Sequence, residues 1–352
     1  MKKLPRFIAA AALAILLTVL LDHIFIPKYI SENQDGSITR EFYIQADRPE
    51  VIFLGASTVH YCISPDYLYK CSGITSYDRS NASQTLWQSY YLLKDTLTVS
   101  KPKLVALDVS FLKNGEEFIE EPSNRKVIEH MRDPVSKLGA VLSSAGDFEQ
   151  PAGYFIPVLR YHSRWKDLKE EDFRYAFNAP CVTYDGYLMD SSIPEEQHIY
   201  EPEPIDDPSF APKAEEYLDR IIELCKNEGI ELLLMKTPTF VNSWHTEYDE
   251  ALEKKAGSNG IRYINFSPLA DEMGIRVRTD YIDDGEHMNI SGAHKFTEYL
   301  GEYINNNYAP ASDEDEVLKK KWSEKLGAYE KAAAEGMAAW EKAYEKYADG
   351  AE

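Results

Sequence analysis

Val51-Ile52-Phe53-Leu54-Gly55, followed at once by Ala56-Ser57-Thr58, is the stretch on which the fold reading turns. Four consecutive apolar residues closing on a glycine, with no polar alternation, describe a short strand buried on both faces. ITSYDRS (74–80) reads as a second strand, and KLVALDVS (Lys103 to Ser110), introduced by Pro102, as a third. PDYLYKCS (65–72) reads as a short helix between the first two. SQTLWQSYYLLKDTL (Ser83 to Leu97) reads as a helix between the second and third, with Leu86, Tyr90, Leu93 and Leu97 on one face and Ser83 as its N-cap. Strands alternating with helices call for a mostly parallel sheet with crossover helices, an α/β fold.

The same alternation returns near the C-terminal side. PKAEEYLDRIIELCKNEG places Ala214, Tyr217, Leu218, Ile221, Ile222 and Cys225 on one helical stripe, with Pro212 in the first turn and Gly229 at the stop. IELLLMKTP is a fourth strand, 246–256 a helix and IRYINF a fifth strand. After the polar loop TDYIDDGEHMN comes SGAHKFTEYLGEYI, a helix with Ala293, Phe296, Leu300 and Ile304 inward. Residues 113–208, rich in acidic residues, proline and aromatics, interrupt the pattern. They are expected to be an insertion packed over the sheet edge or the mouth of the site. Residues 311–352 carry no strand signal. Leu318, Trp322, Leu326, Tyr329, Ala333, Met337, Trp340 and Tyr344 recur there with an 11-residue period, which keeps a stripe on one helix face. That stripe suits a solvated helix or one docked on a partner or on its own domain.

The N-terminus opens with Lys2, Lys3 and Arg6, then 15 apolar residues from Phe7 to Leu21, then Asp22, His23 and IFIP. No small-x-small cleavage site follows, which favours an uncleaved signal anchor over residues 1–28 rather than a removed signal peptide. Basic residues before the segment keep its start inside, so the main domain, 29–310, is expected outside the cytoplasm of a single-pass membrane protein. The chain of 352 residues holds 38 basic and 59 acidic residues, a formal charge of -21. Nucleic acid is therefore not an expected partner, because binding it requires cations that displace phosphate counterions. Cys62, Cys71, Cys181 and Cys225 are too few for a disulfide scaffold or a paired-CxxC zinc site, leaving room for one disulfide, Cys62 with Cys71. The sequence has no P-loop, GxGxxG, HExxH or EF-hand pattern, so no cofactor or metal is expected.

Open parallel sheets bind ligands beyond the carboxyl ends of their strands. Ser57 falls there, just past the first strand, and needs a neighbouring base to act as a nucleophile. Asp284-Gly285-Glu286-His287, before the last helix, supplies an imidazole and a carboxylate three residues earlier that can fix its tautomer. Asp283 competes for the orienting role at one residue's longer spacing. His60 either lines the pocket or starts a helix, and His294 is expected at the surface. Arg160, His162 and Arg164, within RYHSRW, suit either a platform for a carbohydrate or anionic glycan, or structural packing of the insertion.

With Ser57 after the first strand and a D-x-x-H before the last helix, residues 48–112 and 210–308 resemble the SGNH/GDSL hydrolase superfamily. VIFLGAST and YIDDGEHMNISGAHKF are most similar to its membrane-anchored bacterial branch, which includes the D-alanyl transfer protein of lipoteichoic acid synthesis and the alginate O-acetylation proteins. The resemblance implies a three-layer α/β/α sandwich, flavodoxin-like in plan, acting as an esterase or O-acyltransferase without metal or nucleotide. It assigns Ser57 as nucleophile, His287 as base and Asp284 as orienting acid. Oxyanion donors are expected from Ser80 or Asn81, including the Asn81 side chain. The implied substrate is an ester-linked acyl group, most simply acetyl, on a cell-envelope polysaccharide, and the implied partner a polytopic membrane acyltransferase. The competing expectation is a non-catalytic envelope module that binds glycan or scaffolds such a complex.

Overall fold

The computed structural model describes residues 3–30, 36–115, 121–144, 151–198, 209–240, 244–310 and 315–350. The acidic segments 116–120 and 199–208 of the expected insertion, residues 311–314 of the expected tail and Lys2 lie outside the described residues. Helix α1 (Lys3–Phe25) comes first and α2 (Ile38–Gln45) second. Then β1 (Val51–Gly55), α3 (Ser57–Cys62), α4 (Pro65–Ser72), β2 (Ser76–Ser80), α5 (Leu86–Leu97) and β3 (Leu104–Asp108) follow in sequence. Five helices occupy the next stretch: α6 (Glu121–Ile128), α7 (Pro134–Ser144), α8 (Ala152–Phe155), α9 (Val158–Tyr161) and α10 (Glu170–Arg174). The chain resumes its alternation with α11 (Pro212–Glu228), β4 (Glu231–Lys236), α12 (Thr246–Asn259), β5 (Arg262–Asn265), α13 (Val277–Asp280), α14 (Ile290–Asn307) and α15 (Glu316–Gly350).

All five strands are parallel, in the order β2-β1-β3-β4-β5. The order reverses between β1 and β3, whose carboxyl ends therefore flank the crevice from which the connections diverge. Strand side chains alternate between two faces. Ile52, Leu54, Val105, Leu107, Leu232 and Leu234 enter one apolar cluster with α2, α5, α11 and α12. Val51, Phe53, Ala106, Leu233 and Met235 enter a second with α3, α4, α14 and α15. Both faces being covered is why these strands read as unbroken apolar runs.

The insertion covers an edge as expected. At the outer edge of β2, the amide of Asp78 donates to the carbonyl of Asp185 at 2.9 Å. Gly186, at φ +96°, follows so closely that a Cβ there would sit 2.3 Å from the Asp78 carbonyl oxygen. Helix α5 begins later than the sequence reading of 83–97 expects. Ser83 sits at φ +54° outside the helix, and Thr85 is the N-cap, its amide held by Gln88 Oε1 at 3.0 Å. The four cysteines are free thiols, so the Cys62–Cys71 disulfide is not formed.

Helix α15 packs on its own domain. Trp322 and Tyr329 are fully buried, and Trp322 donates its indole N–H to the Asp47 carbonyl at 3.2 Å. Lys325 reaches the Asp185 carboxylate at 2.6 Å, and Trp340 Nε1 the Thr279 carbonyl at 2.8 Å. The 11-residue stripe is therefore a docking face. Helix α1 behaves differently: within its 22 residues Leu4–Phe25 an 18-residue stretch has mean hydropathy 2.3 and is unburied. At ~1.5 Å per residue it is about 33 Å long, enough to cross a bilayer. Lys28 folds back to donate to the carbonyls of His23 and Ile26 at 2.6 Å each, satisfying the helix's carboxyl end.

Candidate active site

The nucleophile position is set by close packing at the end of β1. A Cβ on Gly55 would lie 2.5 Å from Val59 Cγ2 and 2.8 Å from Asp108 Cβ, so only glycine lets the chain turn between α3 and β3. Register puts Gly55 beside Ser80 of β2 and Leu54 beside Leu107 of β3. Two residues on, Ser57 opens α3 at the switch point of the sheet and is half-buried.

The imidazole arrives from the other end of the chain on a tight loop. Tyr281 and Met288 form an antiparallel bridge, and the Ile282 amide donates to the His287 carbonyl at 2.9 Å. Inside that loop, Asp283 Oδ1 accepts the amides of Gly285, Glu286 and His287 at 3.1, 2.8 and 3.1 Å. Gly285 adopts φ +100°, and its carbonyl accepts the Phe240 amide at 2.8 Å, tying the loop to the segment after β4. Asn289 then caps α14, its Oδ1 accepting from Ser291 and Gly292 at 3.1 and 3.3 Å. The loop is thus braced on both sides of His287.

The two halves meet. His287 Nε2 lies 2.7 Å from Ser57 Oγ, and His287 Nδ1 lies 2.5 Å from Asp283 Oδ2. Burial works against ionising Asp283, yet the hydrogen bonds and charge of His287 and the loop amides outweigh it and hold the carboxyl below its ordinary range. An ionised Asp283 can only accept, so Nδ1 carries the proton and Nε2 presents its lone pair to the Ser57 hydroxyl. That is the geometry for removing the proton of Ser57 and stabilising the imidazolium that results. Tyr61 meets the His287 ring edge-on at 5.0 Å between centroids and limits its rotation.

The orienting carboxylate is a correction to the sequence reading. Asp284, three residues before His287, does not face the ring. Its Oδ1 accepts the His198 amide at 2.8 Å. The loop must turn through Gly285 before the ring swings back, so the fourth residue upstream, not the third, meets Nδ1. His198 belongs to a strap over this loop, in which Gln197 Nε2 donates to the carbonyls of Val277 and Asp283 at 3.0 and 2.8 Å. This end of the insertion therefore does border the site.

The other expected residues separate. Ser80 is fully buried, with its hydroxyl 3.0 Å from His60 Nδ1, and His60 is itself buried. The Asn81 side chain is not an oxyanion donor, because its amide nitrogen donates to Gln84 Oε1 at 3.1 Å and Thr39 Oγ1 at 3.5 Å. Main-chain amides at the end of β2 and at Ser57 are what remains for that role. Of Arg160, His162 and Arg164, only Arg164 bonds to the end of α1; His162 is exposed. Arg160 pairs with Glu121, and His162 Nδ1 lies 3.0 Å from the Leu159 carbonyl. Arg164 donates to Asp172 at 2.9 Å and to the Phe25 carbonyl. His294 is not a surface group: it stacks on Tyr67 at 3.9 Å and lies 2.7 Å from the Tyr329 hydroxyl.

Sequence reasoning passed over Tyr61 and the segment after β4, which carry no motif. Asp108 holds that segment by accepting from the Thr237 amide and hydroxyl at 2.8 and 2.9 Å. Asp283, Glu286 and His287 bring donor atoms within 4.8 Å of one another, close enough to share a cation. Both ring nitrogens of His287 already serve Asp283 and Ser57, so cation binding would compete with the relay. A scan against protein-family models and a search of curated proteins return no match. The functional reading rests on the site's geometry.

Proposed function

We propose that this chain is a serine esterase or O-acyltransferase of SGNH-like, three-layer α/β/α type, held in the membrane by α1 with its α/β domain on the extracytoplasmic side. The observation that carries the reading is the 2.7 Å approach of Ser57 Oγ to His287 Nε2 across 230 residues of sequence, backed by Asp283. In the proposed mechanism Nε2 takes the Ser57 proton as Oγ attacks the acyl carbonyl. The tetrahedral oxyanion is met by main-chain amides at Ser57 and at the end of β2. The imidazolium returns the proton to the leaving alkoxide, leaving an acyl-Ser57 ester. A second alcohol or water, deprotonated by His287, then releases the acyl group. Water gives hydrolysis and a sugar hydroxyl gives transfer.

The substrate class we infer is an acyl ester, most simply acetyl, on a cell-envelope polysaccharide, with a polytopic membrane acyltransferase as the source of acyl groups in the transfer case. The partly accessible Ser57 and the long apolar α1 support that setting. A fluorophosphonate probe tests the chemistry. Covalent labelling of the full-length protein, lost in Ser57→Ala and strongly slowed in His287→Ala, is the expected result. A folded protein that takes no label overturns the reading in favour of a non-catalytic glycan-binding or scaffolding module.

A further inference from the structure

The structure assigns the insertion a second surface, remote from its strap over the site: an apolar face that we propose lies in the outer interface of the lipid bilayer beside α1. This rests on α1 spanning the membrane. Leu138 of α7, Phe155 of α8, Leu159 of α9, and Trp165, Phe173 and Phe177 beyond it are exposed by between 42% (Phe155) and 68% (Phe177). Clustered exposed apolar side chains of this size on a water-soluble surface mark an interaction site. What covers them is indicated by their attachment. The Val158 amide donates to Asp22 Oδ1 at 2.6 Å, Arg164 donates to the Phe25 carbonyl, and the ring of Phe177 lies 4.5 Å from that of His23. Each contact is with the last turn of α1, so the face continues the unburied apolar surface of that helix at the level where the span ends.

Its chemistry suits a headgroup boundary rather than the hydrocarbon centre. Lys166, exposed like its neighbour, places Nζ 5.4 Å from the Trp165 ring. Tryptophan with lysine is the composition of membrane–water interfaces, where the ring enters the acyl boundary and the ammonium stays with the headgroups. The helices are short and meet α1 at its last turn, which suits contact at the interface.

The test uses the full chain reconstituted in phosphatidylcholine vesicles whose acyl chains carry bromine at a shallow position, with tryptophan emission as the readout. Trp165→Phe isolates the contribution of Trp165 from the other four tryptophans. The expected result is quenching in brominated vesicles that falls in Trp165→Phe. It should also fall in Phe155→Glu/Phe173→Glu, which leaves fluorophosphonate labelling unchanged. Equal quenching of wild type and Trp165→Phe, in protein that resists alkaline carbonate extraction, overturns the proposal while leaving the spanning reading intact. A photo-crosslinker at Phe173 that captures a membrane protein in cells, with Trp165 unquenched in lipid alone, overturns it in favour of a protein partner. Release of the chain by carbonate overturns both readings.

Discussion

Asp283 and His287 share two kinds of bond at once. One carboxylate oxygen receives the ring Nδ1 at 2.5 Å while the other receives the His287 amide at 3.1 Å. The side chain that orients the imidazole is thus also the one that folds its loop. Asp283→Asn keeps much of the loop geometry but places an amide against Nδ1, favouring the wrong tautomer. Fluorophosphonate labelling at neutral pH is expected to slow by about 10³–10⁴. Asp284→Asn is expected to label close to wild type, since it touches only the strap at His198. Equal losses in the two variants would argue against this division of roles.

Gly55→Ala should separate folding from activity. The added methyl meets Val59 and Asp108 at contact distances no core accepts, and relief requires α3 to shift. Overpacking of this kind costs about 1–3 kcal/mol. Moving Ser57 by about 1 Å from His287 costs ~10² in rate. The expected outcome is a protein with near-native circular dichroism, a lowered urea midpoint and labelling reduced at least that far. Full activity would show that β1 does not set the Ser57 position.

Trp322→Ala tests the seat of α15. The indole is fully buried and hydrogen-bonded to the Asp47 carbonyl. Truncating such a side chain costs about 3–5 kcal/mol. Urea unfolding should show that loss, and limited proteolysis should cut within 316–350 before the α/β domain. Unchanged protection of this helix would mean that its docking does not depend on Trp322.

Asp66 gives a pH dependence with a defined sign. It lies buried on α4, and its Oδ1 finds no hydrogen-bond partner among the described residues. Burial, offset in part by Lys325, pushes its carboxyl from 3.8 up to about 6. At low pH both folded and unfolded chains hold the proton. As pH rises past 3.8 the unfolded chain ionises first, so this group's contribution to stability falls until pH passes the folded value. The loss amounts to about 1–3 kcal/mol. Asp66→Asn should therefore gain in Tm relative to wild type between about pH 4 and pH 7. A constant difference across that range would remove Asp66 as the cause.

The five strands were legible because each is an unbroken apolar run, or a short mixed one, between turn residues, and burial on both faces demands that pattern. The stripe from Ala214 to Cys225 was equally legible, and all six positions are buried. Ser57 and His287 could be read from their places relative to the first strand and last helix. The choice between Asp283 and Asp284 could not, because it depends on how far Gly285 turns the loop, and φ is not written in residue spacing. Nor could the fate of Asn81, whose amide is claimed by Gln84 and Thr39, the latter from a distant helix. Arg160, His162 and Arg164 look alike in sequence, and only the structure separates Arg164, bonded to the end of α1, from the exposed His162. The stripe of α15 has one period whether solvated or docked. Gly336 is where that helix approaches Met189 and Ile290, 3.1 and 3.2 Å from an added Cβ.

Tyr329 receives a hydrogen bond from Ser64 at 2.9 Å and lies 2.7 Å from His294. Ser64 directly follows the segment that bears the nucleophile, and His294 the one that bears the base. A single phenol near the chain's end thereby cross-links the two walls of the crevice. During synthesis the first wall emerges 265 residues ahead of that phenol, so the newborn polypeptide carries Ser57 for a long interval before the tie between the two walls can form.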